Sequence, residues 1–234
     1  MSDEVYSLIS YSKKYLEYCD NFLFDCDGVI LDSNDLKTSA FREALTLYPK
    51  SSVDEFIKYH VSMGGVSRYE KFKYFFQQIH FQPNSSYLAA EASERFAKIL
   101  SGQLRNAKLA ENLATLRALN SGKKWYVISG GDQAELRDLF KSRKLSSYFN
   151  GGIYGSPKNK YDIIDLLIAN GSLSGTAVFF GDSKYDMQVA QHYGFKFIFV
   201  HGWSEQKELL NFCDQEKIPT IKALKDLLTQ ELSN

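Results

Sequence analysis

The sequence predicts an α/β protein: a parallel sheet core with helices on both faces, carrying an inserted all-helical segment. Three observations predict it. Four short apolar runs are dense in aromatic and β-branched residues, helical patterns lie between them, and one long interval holds helical patterns alone.

The first run is Phe22-Leu23-Phe24, followed far downstream by Trp125-Tyr126-Val127-Ile128, Ala177-Val178-Phe179-Phe180 and Phe197-Ile198-Phe199-Val200. A strand with one face in water alternates apolar and polar residues. These runs do not alternate, so each is expected to be covered on both faces, as strands of a parallel sheet are. From about Asn34 to Gln103 only helical patterns occur, punctuated at Tyr48-Pro49, Met63-Gly64-Gly65 and Gln82-Pro83-Asn84. This interval is expected to be an inserted helical domain over residues 34–104, leaving 1–33 and 105–234 to build the core. Its aromatic group, Tyr69, Phe72, Tyr74, Phe75 and Phe76, is expected in the interior of that insert rather than on a binding surface. Leu109, Leu113 and Leu116 then mark a helix ending near Gly122, and Lys160 to Ala169 marks another that stops at Asn170-Gly171. The stretch from Val5 to Tyr18 is expected to form a helix that packs on the core or on a partner.

Composition narrows the function classes. The 234 residues are 44% apolar, enough for a sizeable core. Lys+Arg and Asp+Glu both number 28, so there is no electrostatic footprint for nucleic acid or an anionic membrane surface. No stretch approaches the roughly 18 charge-free apolar residues of a membrane span, and no secretory signal pattern opens the sequence, so a soluble cytoplasmic protein is expected, as monomer or homodimer. Cys19, Cys26 and Cys213 are an odd number without short paired spacing, which argues for reduced structural thiols. His60, His80, His192 and His201 form no i, i+4 ligand pair, so zinc chemistry has no support.

The residues that carry chemistry cluster where the apolar runs end. Asp25 and Asp27 follow the first run two apart, which in extended chain turns both side chains to one side at the strand's C-terminal end. Ligands of open α/β sheets bind at that edge. Cys26, between them, points to the other face and is rejected as a nucleophile. The second run ends in Ser129-Gly130-Gly131, a hydroxyl and backbone N–H groups expected at the start of a helix and suited to phosphate oxygens. The third ends in Gly181-Asp182-Ser183-Lys184-Tyr185-Asp186. Acids gathered at two strand ends repel and need a cation between them, and oxygen-only ligands point to Mg²⁺.

Asp25-x-Asp27, Ser129, a lysine near 160 and Gly181-Asp182-x-x-x-Asp186 resemble, in order and spacing, the four motifs of the haloacid dehalogenase (HAD) superfamily. The resemblance covers essentially the whole chain, with a Rossmann-like core and the insert similar to a C1-type cap, close to the phosphoglycolate phosphatase and β-phosphoglucomutase branch. It implies an aspartyl-phosphate on Asp25, acid and base work by Asp27, and a metal held by Asp25, the backbone carbonyl of Asp27, Asp182 and Asp186. Ser129, Gly130 and a lysine would bind the phosphoryl group. Of Lys158 and Lys160, Lys160 is favoured because it opens a helical pattern and completes Gly155-Ser156-Pro157-x-x-Lys160, whereas Lys158 would match if the commoner Lys-Pro form had lost its proline. Gly64-Gly65-Val66-Ser67-Arg68 resembles a cap loop that positions a distal phosphate, which makes Arg68 a candidate substrate anchor. Lys37 is a candidate to face the site or to form a structural salt bridge, in a place where the mutase has a histidine.

The expected function is therefore a Mg²⁺-dependent phosphatase acting on a small phosphorylated metabolite, such as a sugar phosphate or a phosphoglycolate-like acid. A phosphosugar mutase similar to β-phosphoglucomutase is the alternative, and a catalytically idle binding module is the second. Intact Asp25, Asp27, Lys160, Asp182 and Asp186 argue against the last.

Overall fold

The computed structural model describes residues 16–229. Six strands form a parallel sheet in the order β5-β4-β1-β6-β7-β8. They are β1 (Asn21–Phe24), β4 (Lys124–Asp132), β5 (Gly152–Ser156), β6 (Ala177–Gly181), β7 (Lys196–Val200) and β8 (Thr220–Ile221). All four apolar runs are strands of this sheet, and β1 lies between β4 and β6, with Phe24 opposite Val127 on one side and Phe180 on the other.

Why the runs do not alternate is visible in where their side chains go. Successive residues point to opposite faces, so Phe22, Phe24, Trp125, Val127 and Phe180 enter one apolar cluster and Leu23, Tyr126, Ile128 and Phe179 the other. Helices cover both clusters. The Phe24 ring stacks on Phe180 at 4.9 Å and the Phe22 ring on Trp125 at 5.9 Å. Each such ring taken out of water contributes about 1.5–3 kcal/mol, which pins β1 at the centre.

Between β2 (Leu31–Asp32) and β3 (Lys108–Leu109) lie α1 (Asn34–Ala44), α2 (Lys50–Ser62), α3 (Arg68–Tyr74, running on into a wider turn over Phe75–Ile79) and α4 (Ser85–Leu104). β2 and β3 pair antiparallel, Leu31 with Leu109, so the chain enters and leaves this helical segment side by side. The helices enclose their own cluster, with Phe41, Phe56, Phe72, Phe75 and Phe76 buried. Of the aromatic group expected inside, Tyr69 and Tyr74 are instead partly exposed, at 36% and 37%.

The remaining helices are α5 (Leu113–Leu119), α6 (Gln133–Ser142), α7 (Lys160–Ala169), α8 (Lys184–His192), α9 (Glu208–Gln215) and α10 (Asp226–Thr229). α7 has the bounds expected of it, opening on an Asn159–Asp162 capping box and closing before Gly171 at φ +71°. Leu109, expected in the helix before Gly122, belongs to β3; a strand partner in Leu31 overrides the leucine spacing. β5 and β8 were not expected, because Gly152–Ser156 is half glycine and polar and Thr220–Ile221 is two residues at the sheet edge. Cys19, Cys26 and Cys213 are free and buried. Among the described residues no helix is long and apolar enough to cross a membrane. The helix expected over Val5–Tyr18 lies, up to residue 15, outside the described residues.

Candidate active site

The C-terminal ends of β1, β4 and β6 are adjacent by the strand order, and the charged groups of the motifs meet there. The β1 ladder continues one residue past the strand, since Asp25 N–H donates to Phe180 O at 2.9 Å. Asp25 is thus fixed by backbone bonds before its side chain makes any. Its Oδ1 accepts from the Lys160 ammonium at 3.0 Å and from Cys26 N–H at 2.8 Å. Lys160 is the first residue of α7, is 1% exposed, and also bonds Asp186 Oδ1 at 2.5 Å. Of the two lysines in the loop, the structure brings Lys160 to Asp25 and leaves Lys158 exposed.

Asp27 is held differently. Its Oδ1 accepts from Ser33 Oγ at 2.6 Å, and its Oδ2 accepts from the Lys37 ammonium of α1. The turn between Asp27 and β2 needs Gly28: φ is +75°, and a Cβ there would stand 2.0 Å from Asp182 Oδ2. On the β6 side, Asp182 Oδ2 accepts from Asn34 Nδ2 at 2.7 Å. Asp186 closes a capping box on α8, its Oδ2 accepting from Ser183 Oγ at 2.7 Å.

One carboxylate oxygen from each of Asp25, Asp182 and Asp186 lies within 4.8 Å of the others, all three residues being buried. The Asp27 carboxylate is not in this group, and Ser33 and Lys37 bond its two oxygens. Burial pushes Asp25 up to about 7, with Lys160 pulling it down and Asp186 and Asp27 pushing it further up. Asp182 is driven well above the carboxylate range by burial and by Asp25 and Asp186. Burial would raise Asp27 too, but the Lys37 charge and the hydrogen bonds from Lys37 and Ser33 outweigh it and hold Asp27 low. Of these three buried acids Asp25 and Asp186 pair with Lys160, and Asp182 has no cation within 4.0 Å among the described residues. That surplus of negative charge, offered by oxygen atoms alone, fits a divalent cation such as Mg²⁺.

At the end of β4, Ser129 is 1% exposed and its Oγ accepts from Gly131 N–H at 3.0 Å. This corrects one expectation: the strand runs on to Asp132, which caps α6 by accepting from Glu135 N–H, so Ser129-Gly130-Gly131 is not the helix start and the Gly131 N–H is already used. The longer strand wins because β5 continues alongside it, Asp132 pairing with Ser156. Gly130 lies against the loop before α3; a Cβ there would stand 2.2 Å from Gly65 O.

A cavity lies between the strand ends and the helical segment. Asp25, Asp27 and Asp182 line it from below, and Phe41, Arg68 and Lys71 from the helices above. Arg68, expected as a substrate anchor, spends both terminal nitrogens on Glu135 of α6 at 2.7 Å each, with its guanidinium over Phe96. Tyr69 Oη reaches Asp132 on the same side at 2.9 Å. Three participants were not expected. Asn34 ties α1 to Asp182, Ser33 braces Asp27, and Lys71, buried at 3% exposure, sits on His60. Lys71 did carry a sequence signal: it lies four before buried Phe75 on a helix, hence on the inward face.

Residues 22–200 match the family model described as haloacid dehalogenase-like hydrolase. No curated protein matches the sequence significantly. Among solved structures, a haloacid dehalogenase-like family hydrolase from Streptococcus pneumoniae is similar at TM-score 0.65 and 23% identity, over 90% of this chain and 98% of that one. A candidate phosphoglycolate phosphatase from Lactobacillus plantarum is similar at 0.67 and 17%, over 91% and 99%. A candidate β-phosphoglucomutase from Thermotoga maritima is similar at 0.59 and 18%, over 92% and 100%. At these identities the likeness is one of fold.

Proposed function

The chain belongs to the haloacid dehalogenase-like hydrolase family, and from that premise we propose that it is a Mg²⁺-dependent phosphatase of small phosphomonoesters that works through an aspartyl-phosphate on Asp25. What carries this is the bonding of Asp25: both hydrogen bonds to its carboxylate among the described residues fall on Oδ1, leaving Oδ2 to attack phosphorus. Lys160, wedged between Asp25 and Asp186, offsets the negative charge that gathers as an anionic carboxylate meets an anionic phosphoryl group.

Asp25 Oδ2 forms the bond to phosphorus while the ester oxygen departs, taking a proton from Asp27. Asp27 then deprotonates a water, which attacks the aspartyl-phosphate and returns Asp25 with release of inorganic phosphate. The lowered pKa of Asp27 keeps it ionised, the protonation state that the base half of this cycle starts from. For the acid half Asp27 must take up a proton against the pull of the Lys37 ammonium, which keeps its own proton because the same pairing raises its pKa. Ser129 Oγ already accepts from Gly131 N–H, so its own O–H is the part left to donate to a phosphoryl oxygen, with Gly130 beside it. Asp25, Asp182, Asp186 and the Asp27 carbonyl would hold Mg²⁺, which when bound lets two anions approach each other. The helical segment 34–104 would act as a cap over residues 1–33 and 105–234, excluding water from the cavity. A phosphorylated metabolite fits this cavity, and nothing in the net charge favours a nucleic acid.

The test is phosphate release by the purified protein with Mg²⁺ across a panel of small phosphomonoesters, beside Asp25→Asn. Activity abolished in a folded Asp25→Asn protein is the expected result; full activity in that variant, or none in the wild type across the panel, overturns the proposal. The mutase alternative keeps Asp25 and Asp27 and differs in the fate of the phosphoryl group. A sugar 1-phosphate supplied with and without its bisphosphate separates the two, since isomerised sugar phosphate instead of free phosphate would mark the mutase.

A further inference from the structure

Lys71 is used by nothing in the mechanism above, and its burial is costly. It projects from α3 into the wall of the cavity that faces Asp25, at 3% exposure. No carboxylate lies within 4.0 Å of its ammonium among the described residues, in contrast to Lys37 and Lys160. Two of its three N–H groups have partners, His60 Nδ1 at 2.7 Å and His60 O at 3.2 Å. Its charge also lies 5.7 Å from the centre of the Phe41 ring.

The support beneath it is ordered along one chain of bonds. Thr38 Oγ1 donates to Glu205 Oε1 at 2.7 Å, so its remaining acceptor position faces His60 Nε2 at 3.0 Å. His60 Nε2 therefore carries the hydrogen, and Nδ1 is the bare nitrogen that accepts from Lys71. His60 is itself neutral, its pKa pushed well down by burial, Lys71 and Lys37, so it positions the ammonium without neutralising it. Three residues earlier on the same helix, Arg68 lines the same cavity. Both its terminal nitrogens are spent on Glu135, but its Nε–H is buried with no partner. A buried cation without a counter-ion and a buried N–H without an acceptor, one helical turn apart on one cavity wall, both call for an anion.

We infer that Lys71, seated on His60 and assisted by the Arg68 Nε–H, determines specificity by binding a second negative charge on the substrate. The preferred substrate is then a phosphomonoester whose other end bears a carboxylate or a further phosphate. This rests on the phosphatase proposal. It also accounts for the cost of burial: the lysine is kept at the expense of stability because the bound anion completes it.

The experiment compares kcat/KM for phosphoglycolate, fructose 1,6-bisphosphate and 4-nitrophenyl phosphate in the wild type and in Lys71→Met, with Mg²⁺. Wild type favours one of the two substrates with a second anionic group over the nitrophenyl ester, and which one tells carboxylate from phosphate. Lys71→Met lowers that preference ten- to a hundredfold, the range of one hydrogen bond to a charged group, chiefly through KM. A merely structural lysine would move all three substrates together and leave the ratios unchanged, which overturns the inference. A second measurement needs neither turnover nor a Lys71 variant. Calorimetry on Asp25→Asn protein with Mg²⁺ should show phosphoglycolate or the bisphosphate binding at least tenfold tighter than methyl phosphate; equal affinities for all three overturn the inference. Absence of phosphate release from every ester would defeat the phosphatase proposal alone, and calorimetry would still decide this one.

Discussion

On the floor of the cavity Asp25, Asp27 and Asp186 each have a lysine, whereas on its roof Lys71 has no opposite charge beside it. Asp25 and Asp186 share Lys160, and Asp27 has Lys37 and Ser33. Those groups sit at strand ends and helix caps, where backbone bonds hold them: Asp25 through the ladder to Phe180, Asp186 through the capping box with Ser183. The roof is made of side chains on helices around a separate apolar cluster, and its positions are set by packing and by a bonded chain from Glu205 to Lys71. The difference teaches where each proposed task would belong: chemistry that tolerates little displacement would sit on the sheet, and choice among ligands would fall to a surface that can be altered without touching the strands.

The largest effect should come from the floor. Asp25→Asn is expected to lower phosphate release by on the order of 10³-fold or more, as for loss of a nucleophile, while circular dichroism stays native. Lys160→Met should follow. It leaves Asp25 and Asp186 buried without their cation and should lower the unfolding free energy by about 3–5 kcal/mol, read by urea denaturation.

The roof predicts the opposite sign. Lys71 has its pKa lowered from 10.5 to about 7, first by burial and then by Lys37, with Glu205, Asp27 and Asp182 opposing. The folded protein carries the buried charge at its full cost below pH 7, and the cost is relieved as pH rises from about 7 towards 10.5. Lys71→Met should therefore raise the thermal midpoint, most at pH 6 and least near pH 10. Destabilisation at pH 6 would break the contrast between floor and roof. The smallest effect is expected where the two meet: Glu135→Gln loosens the Arg68 pair, whose carboxylate is 42% exposed, and should cost about 1 kcal/mol or less, seen as a few-fold rise in KM.

How much of this was legible in the sequence follows the same division. The strand ends were, because an apolar run and the acids that follow it are neighbours along the chain: Asp25, Asp27, Asp182 and Asp186 all lie within a few residues of β1 or β6. Lys160 was legible through its place at the head of a helical pattern. Lys71, His60, Thr38 and Glu205 come from three helices and a loop after β7, and their meeting is a property of packing that no spacing announces. Arg68 was noticed for its loop, but its partner Glu135 stands 67 positions away on another element. β5 escaped because Gly152 and Gly155 hide a strand that is held chiefly by the ladder to β4. Ser129 was noticed for the right neighbours and the wrong geometry, since nothing local shows that β4 would outrun its apolar stretch.

The contact between Gly130 and Gly65 has one more consequence. A Cβ at Gly130 would come within 2.2 Å of Gly65 O, so the tolerance between strand end and helical segment at this point is narrower than a single carbon. Alanine in that position would act as a doorstop, wedging the helical segment off the strand ends by the width of one methyl group. Such a protein would be a reagent in its own right, a way to hold the entrance ajar and watch ligands come and go without chemistry closing behind them.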